Sequence, residues 1–191
     1  MTDLPNAPTH MSLNRRHLLP SEIETLPATE DVPAGSPPPD NAPGAPAKQI
    51  QSGKVCHRQR QYGDALACFG AALTQYTAQQ NFEGQGQALN AIALTHYSLG
   101  EYRQCITAAE QSQKIGESEQ LLAIQQQALG HLGNSYRHLG SFPQAIAMME
   151  QSLSCAEALS DRKAIITSLY NLGMAHRAQN RADQALLCYE R

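Results

Sequence analysis

From residue 48 onward, apolar residues recur at three- and four-residue intervals, and the whole arrangement returns forty residues later. Leu129, Leu132, Tyr136 and Leu139 fall on one face of a helix. Leu89, Ile92, His96 and Leu99 repeat that face in the preceding stretch, and Leu169, Leu172 and His176 repeat it in the following one. Gly140 closes the first helix of its unit, as glycine does where the chain turns left-handed. Ser141 is placed to cap the next helix, and Pro143 sits near its first turn, where a missing N–H does no harm. Ala145, Met149 and Ser152 give that second helix a stripe of mostly small residues. Gly133 is expected opposite Ala145, so the two helices approach closely.

The columns run the length of the array. Tyr62, Tyr102, Phe142 and Ala182 share one, and Ala65, Cys105, Ala145 and Ala185 share another. Gly53, Ala93, Gly133 and Gly173 make a third, and Arg60, Gly100, Gly140 and Asn180 a fourth. A fixed period of this size predicts an all-α repeat array in which each unit buries its apolar face against its neighbours. The units are expected at about 48–80, 82–116, 119–159 and 162–191, the last incomplete. The first is degenerate, with Gln49, Ser52 and Cys56 in place of large apolar residues, as suits a terminal unit facing water.

Leu132-Gly133 and Tyr136, followed by Ala145, Met149 and Ser152, resemble the tetratricopeptide repeat. Leu172, Gly173, Ala185 and Tyr189 match the same pattern, as do Gly53, Ala65, Phe69 and Ala72. The usual tryptophan is absent, its column holding Gln49, Leu89, Leu129 and Leu169. The period exceeds the usual 34 residues and is similar to that of bacterial arrays, Pins-type adaptors and kinesin light chains. The resemblance implies a right-handed α-solenoid of antiparallel helix pairs over residues 48–191. It also implies that the first helix of each pair lines a concave groove.

Composition divides the chain. Of its 191 residues, 1–47 hold ten of the eleven prolines and a charge balance of −4; residues 48–191 balance at +1. So proline-rich and acidic a segment cannot bury enough apolar surface to offset its ordering entropy, and 1–47 is expected to be a disordered tail. Ser21 and Glu24 have capping-box spacing there, and Asn14-Arg15-Arg16 lacks the apolar stretch of an export signal. No apolar run reaches the roughly 18 residues of a membrane span. Five cysteines without a Cys-x-x-Cys pair suggest reduced thiols in a cytoplasmic protein.

The first helices, expected at about 48–60, 84–99, 120–139 and 162–179, hold eight bases and no acid. Beside the core stripe of the third lie Gln127, His131, Asn134 and Arg137 or His138. The equivalents are Lys54, His57 and Arg58 in the first unit, Gln87 and Asn90 in the second, and Asn171 and Arg177 in the fourth. Asparagine can donate to and accept from an extended backbone, and arginine can fork a carboxylate. Lys54, Arg58, Asn90, His131, Asn134, Arg137, Asn171 and Arg177 are therefore the candidate binding residues. Their expected ligand is an extended, acidic peptide. No nucleophile stands beside an evident base, His131 and His138 lack further metal ligands, and the array is too weakly basic to grip nucleic acid. The expectation is a non-enzymatic protein-interaction adaptor without cofactor, metal, nucleic-acid or membrane partner. It is also expected to self-associate through an apolar face near Leu186 and Tyr189. The alternative is a regulatory or sensor module of a larger protease-like or kinase protein.

Overall fold

A computed structural model of the protein describes residues 45–191. Eight helices follow one another, with no strand among the described residues: α1 (Ala45–Arg58), α2 (Tyr62–Ala78), α3 (Phe82–Ser98), α4 (Tyr102–Ser118), α5 (Leu122–His138), α6 (Phe142–Ala158), α7 (Arg162–Ala178) and α8 (Ala182–Glu190). From α2 onward helix starts fall twenty residues apart, half the period read from the sequence.

The spacing is set by the turns. Arg60, Gly100, Gly140 and Asn180 have φ of 62°, 78°, 77° and 59°, and Gln80, Gln120 and Ser160 fall between them at 53°, 56° and 53°. Each left-handed residue turns the next amide back onto the helix just ended. Gln61 N–H donates to Cys56 O, Glu101 N–H to His96 O and Ser141 N–H to Tyr136 O, each at 2.9 Å. These bonds satisfy carbonyls that a helix end leaves open and hold each connection to three residues. Only two of the seven left-handed positions are glycine, so alternate turns were hidden in the sequence.

Each helix packs on the next, and the odd-numbered helices also touch one another, most broadly α3 with α5. No even-numbered helix reaches another. The odd helices therefore form the inside of the curve. In the first, third and fourth pairs, a glycine receives a larger side chain. A Cβ on Gly53 would lie 2.5 Å from the Phe69 ring, one on Gly133 2.6 Å from Met149 Cγ, and one on Gly173 2.3 Å from the Tyr189 ring. In the second unit Ala93 takes the glycine's place, and its counterpart shrinks to Ala109, both fully buried. Gly133 thus makes room first for Met149, with Ala145 O next at 3.2 Å. The column Ala65, Cys105, Ala145 and Ala185 is buried throughout, as its small size predicts. Burying a ring such as Phe69 contributes about 1.5–3 kcal/mol.

Three expectations change. The segment 1–47 is cut short, because α1 begins at Ala45 with Pro46 buried in its first turn; residues 1–44, with the Ser21–Glu24 and Arg15–Arg16 features, lie outside the described residues. Ser141 makes no side-chain cap, although proline does occupy the first turn of α6. The third concerns α3, which starts at Phe82 rather than 84. The Asn81 side chain accepts from Gly84 N–H at 2.9 Å and closes the first turn. Glu83 therefore belongs to an inner helix, and the inner layer is not free of acids.

Close packing at backbone should be the least forgiving. A Cβ on Gly116 would lie 2.8 Å from Gln125 N and 3.0 Å from its Cα, atoms that cannot rotate away. Gly116→Ala should cost about 1–3 kcal/mol. Gly70→Ala, with nothing within 4 Å of the new methyl, should stabilise by about 0.5–1 kcal/mol. Urea denaturation of the two variants beside the parent checks the signs; a Gly116→Ala protein as stable as the parent would contradict this packing.

Candidate functional site

On the inner surface α1, α3 and α5 enclose a groove of about 860 Å³. Its apolar lining includes Ile50, Leu94, Leu122 and Leu159, of which the last three remain 41%, 39% and 40% exposed. Side-chain amides come from Gln87, Asn90 and Gln127, and charges from Lys54, Arg58 and Glu83. Lys54 and Arg58 are exposed and meet no acid among the described residues. Glu83 meets no base there and accepts one bond, from Gln87 Nε2 at 3.2 Å.

Asn90 is 3% exposed. Its Nδ2 donates to Ile124 O at 3.2 Å and, at 3.5 Å, to Gln127 Oε1, which ties α3 to α5. Its Oδ1 is buried with no hydrogen-bond partner, a state that costs about 1–3 kcal/mol unless a donor arrives. His131 borders the same groove. Burial pushes its imidazole down to about 4, although its edge keeps some solvent contact. It is therefore neutral at pH 7, able to donate through one ring nitrogen and accept through the other.

Residues 124–191 match the sequence profile of the tetratricopeptide repeat, and the helix pairs before them have the same build. Residues 124–191 carry the tetratricopeptide repeat. No curated protein matches it in sequence. Solved structures of similar fold include a Rap protein complexed with competence and sporulation factor, 14% identical over 76% of this chain and 41% of that chain, with a TM-score of 0.70. Another is the Rap conjugation gene regulator of plasmid pLS20 in complex with the Phr* peptide, 16% identical over 74% and 40%, TM-score 0.63. A third is a Podosopora anserina chain assigned as a kinesin light chain, 14% identical over 79% and 74%, TM-score 0.67. The chain spans about two-fifths of the length of the Rap proteins it matches. At these identities the likeness is one of fold.

The helical array distributes the eight candidate residues unevenly. Lys54, Arg58, Asn90 and His131 line the groove together. Asn134 and Arg137 lie further along α5 and do not border it. Arg137 Nη2 approaches His138 Nε2 at 3.3 Å, and that imidazole also meets Tyr97 OH at 2.8 Å and stacks on Tyr102 at 4.6 Å. Burial first, and then Arg137, lowers the His138 pKa. Asn171 and Arg177 stand on α7, and Arg177 borders a second recess of about 560 Å³ with Tyr170 and Tyr189. His176 is buried, as its column suggested, whereas His96 is half-exposed and pairs with Glu101 at 2.7 Å. All five cysteines are free thiols.

Residues absent from the candidate set also reach the groove: Glu83, Ile50, Leu94, Leu122 and Leu159. Leu94 was legible, being an apolar residue off the core stripe of its helix. Glu83 would have been found from Asn81 as the cap of α3. Leu122 opens α5 and Leu159 follows the last residue of α6, at helix ends that the core stripe does not describe.

His131 makes stability depend on pH. A histidine whose folded pKa is lowered contributes its full stability above the unfolded value of about 6.5 and loses it as pH falls toward 4. His138 and His176, also lowered, act in the same direction. The urea midpoint should therefore fall between pH 7 and pH 5, and His131→Gln should flatten that slope. An unchanged slope in the variant would show that the imidazole is not desolvated.

Proposed function

We propose that this chain is a non-enzymatic adaptor, working in the cytoplasm, whose concave groove holds an extended peptide bearing carboxylate groups. The observation that carries the reading is the groove across α1, α3 and α5, where an apolar lining meets two unpaired bases and a buried, partnerless amide oxygen. An extended peptide offers a backbone N–H for Asn90 Oδ1 and apolar side chains for Leu94 and Leu122. Its carboxylates would face Lys54 and Arg58. The Rap regulator of similar fold is solved in complex with a peptide, which supports a peptide as ligand. A regulatory module of a larger protein is the second reading. It is favoured by Rap chains more than twice as long as the matched region.

Selection of the full chain against an immobilised library of random octapeptides tests the adaptor reading. Enriched peptides should lose about tenfold or more in affinity with Lys54→Glu plus Arg58→Glu, while helicity by circular dichroism stays unchanged. Peptides that bind the double variant as well as the parent would place the site elsewhere.

A second surface supports self-association. Ala88, Ala91 and Ile92 of α3 cover the first unit. The equivalent outer faces of α7 and α8 leave Ile166, Tyr170, Leu186 and Leu187 between 55% and 62% exposed. At the other end of the array the corresponding residues of α1 are Lys48, Gln51 and Ser52, all exposed and polar. Head-to-tail stacking would put apolar against polar, so two copies would meet α7/α8 to α7/α8 about a two-fold axis. Sedimentation velocity of the full chain should show a dimer that Leu186→Lys with Tyr170→Lys dissociates. A monomer at high concentration would rule it out.

A further inference from the structure

The groove has two electrically different ends. Resting on the peptide reading above, we propose that it selects a peptide segment carrying a cation at one end and a carboxylate five to seven residues away, with an apolar residue between. The inner helices run side by side in the same direction. His57 Nε2 lies 3.1 Å from Ser98 Oγ, setting the end of α1 beside the end of α3, and Tyr97 OH meets His138 Nε2 at 2.8 Å at the end of α5. Arg58 therefore stands level with the last turn of α3 and Lys54 one turn earlier. Glu83 occupies the first turn of α3, at the opposite end of the same groove.

At 1.5 Å of rise per residue, Glu83 is separated from the level of Lys54 by about 16 Å and from that of Arg58 by about 22 Å. An extended chain covers those spans in about five to seven residues. Asn90 lies between the two ends, its Oδ1 buried and without a donor, which fits a backbone N–H of the passing segment. Leu94 and Leu122 offer the apolar contact. No opposite charge within the described protein neutralises either end, so each is free to pair with a ligand. The acid also repels peptides that are anionic throughout, a discrimination that Lys54 and Arg58 alone would not give.

Three synthetic heptapeptides, blocked at both termini and alike in an apolar centre with leucine, test this by calorimetry on the full chain at low salt. One has lysine first and aspartate last, one aspartate at both ends, one lysine at both ends. The mixed peptide should bind about tenfold or more tightly than either other. Glu83→Lys should shift the preference to the di-acidic peptide, and Lys54→Glu with Arg58→Glu to the di-basic one. Moving the two charges of the mixed peptide to adjacent positions should abolish its advantage. A parent protein that binds the di-acidic peptide as well as the mixed one overturns the two-ended groove but leaves the adaptor reading standing. If none of the peptides binds or perturbs the Leu94 and Leu122 methyl resonances, the groove is not a peptide site and both readings fall.

Discussion

Everything in this array follows from how closely the two helices of a pair can approach. Where α1, α5 and α7 present glycine, the ring or thioether of Phe69, Met149 or Tyr189 lies where a Cβ would be. Where α3 presents Ala93, the partner is the equally small Ala109. The pairs fill this space differently: glycine against a large side chain in three of them, two alanines in the second. Close-packed interiors respond to a single methylene, so the two residues of each pair have to suit one another.

The curve in turn creates the groove. Because the odd helices face inward and touch each other, residues forty apart come side by side. Lys54 of α1, Asn90 of α3 and His131 of α5 thus share one cavity although no turn of chain links them directly. The unequal contacts among inner helices, broadest between α3 and α5, coincide with the Asn90 bond to Ile124 O. That bond has a second effect. It uses the donor of Asn90 to tie α3 to α5 and leaves the acceptor, Oδ1, buried without a partner.

Charge follows the same geometry. The three groove charges sit on parallel helices at different heights, which turns a nearly neutral array into a site with direction. The recess on the exposed face of α7 and α8 is lined mainly by apolar and aromatic residues, and the charges on its lining, Arg177 and Arg191, are both basic.

The sequence by itself determined the helix-pair fold, because a forty-residue period in apolar, small and turn positions admits one kind of packing. Helical periodicity also placed Lys54, Arg58, Asn90 and His131 beside the core stripe of their helices, which the resemblance to the tetratricopeptide repeat implied to be the inner ones. Tertiary structure decided what the period could not carry. Glu83 joined the inner surface through a cap made by Asn81, a single hydrogen bond that leaves no periodic trace. Gln80, Gln120 and Ser160 took left-handed turns without glycine, because the helices on either side over-determine the connection. Arg137 lies off the groove because the curve spreads one column of residues over different surroundings: its neighbour His138 meets Tyr97 and Tyr102, whereas Arg177, forty residues on, faces Tyr170 and Tyr189. A column in the sequence fixes a height and a face on each helix; what stands across from it depends on the neighbouring units, which only the folded chain brings together.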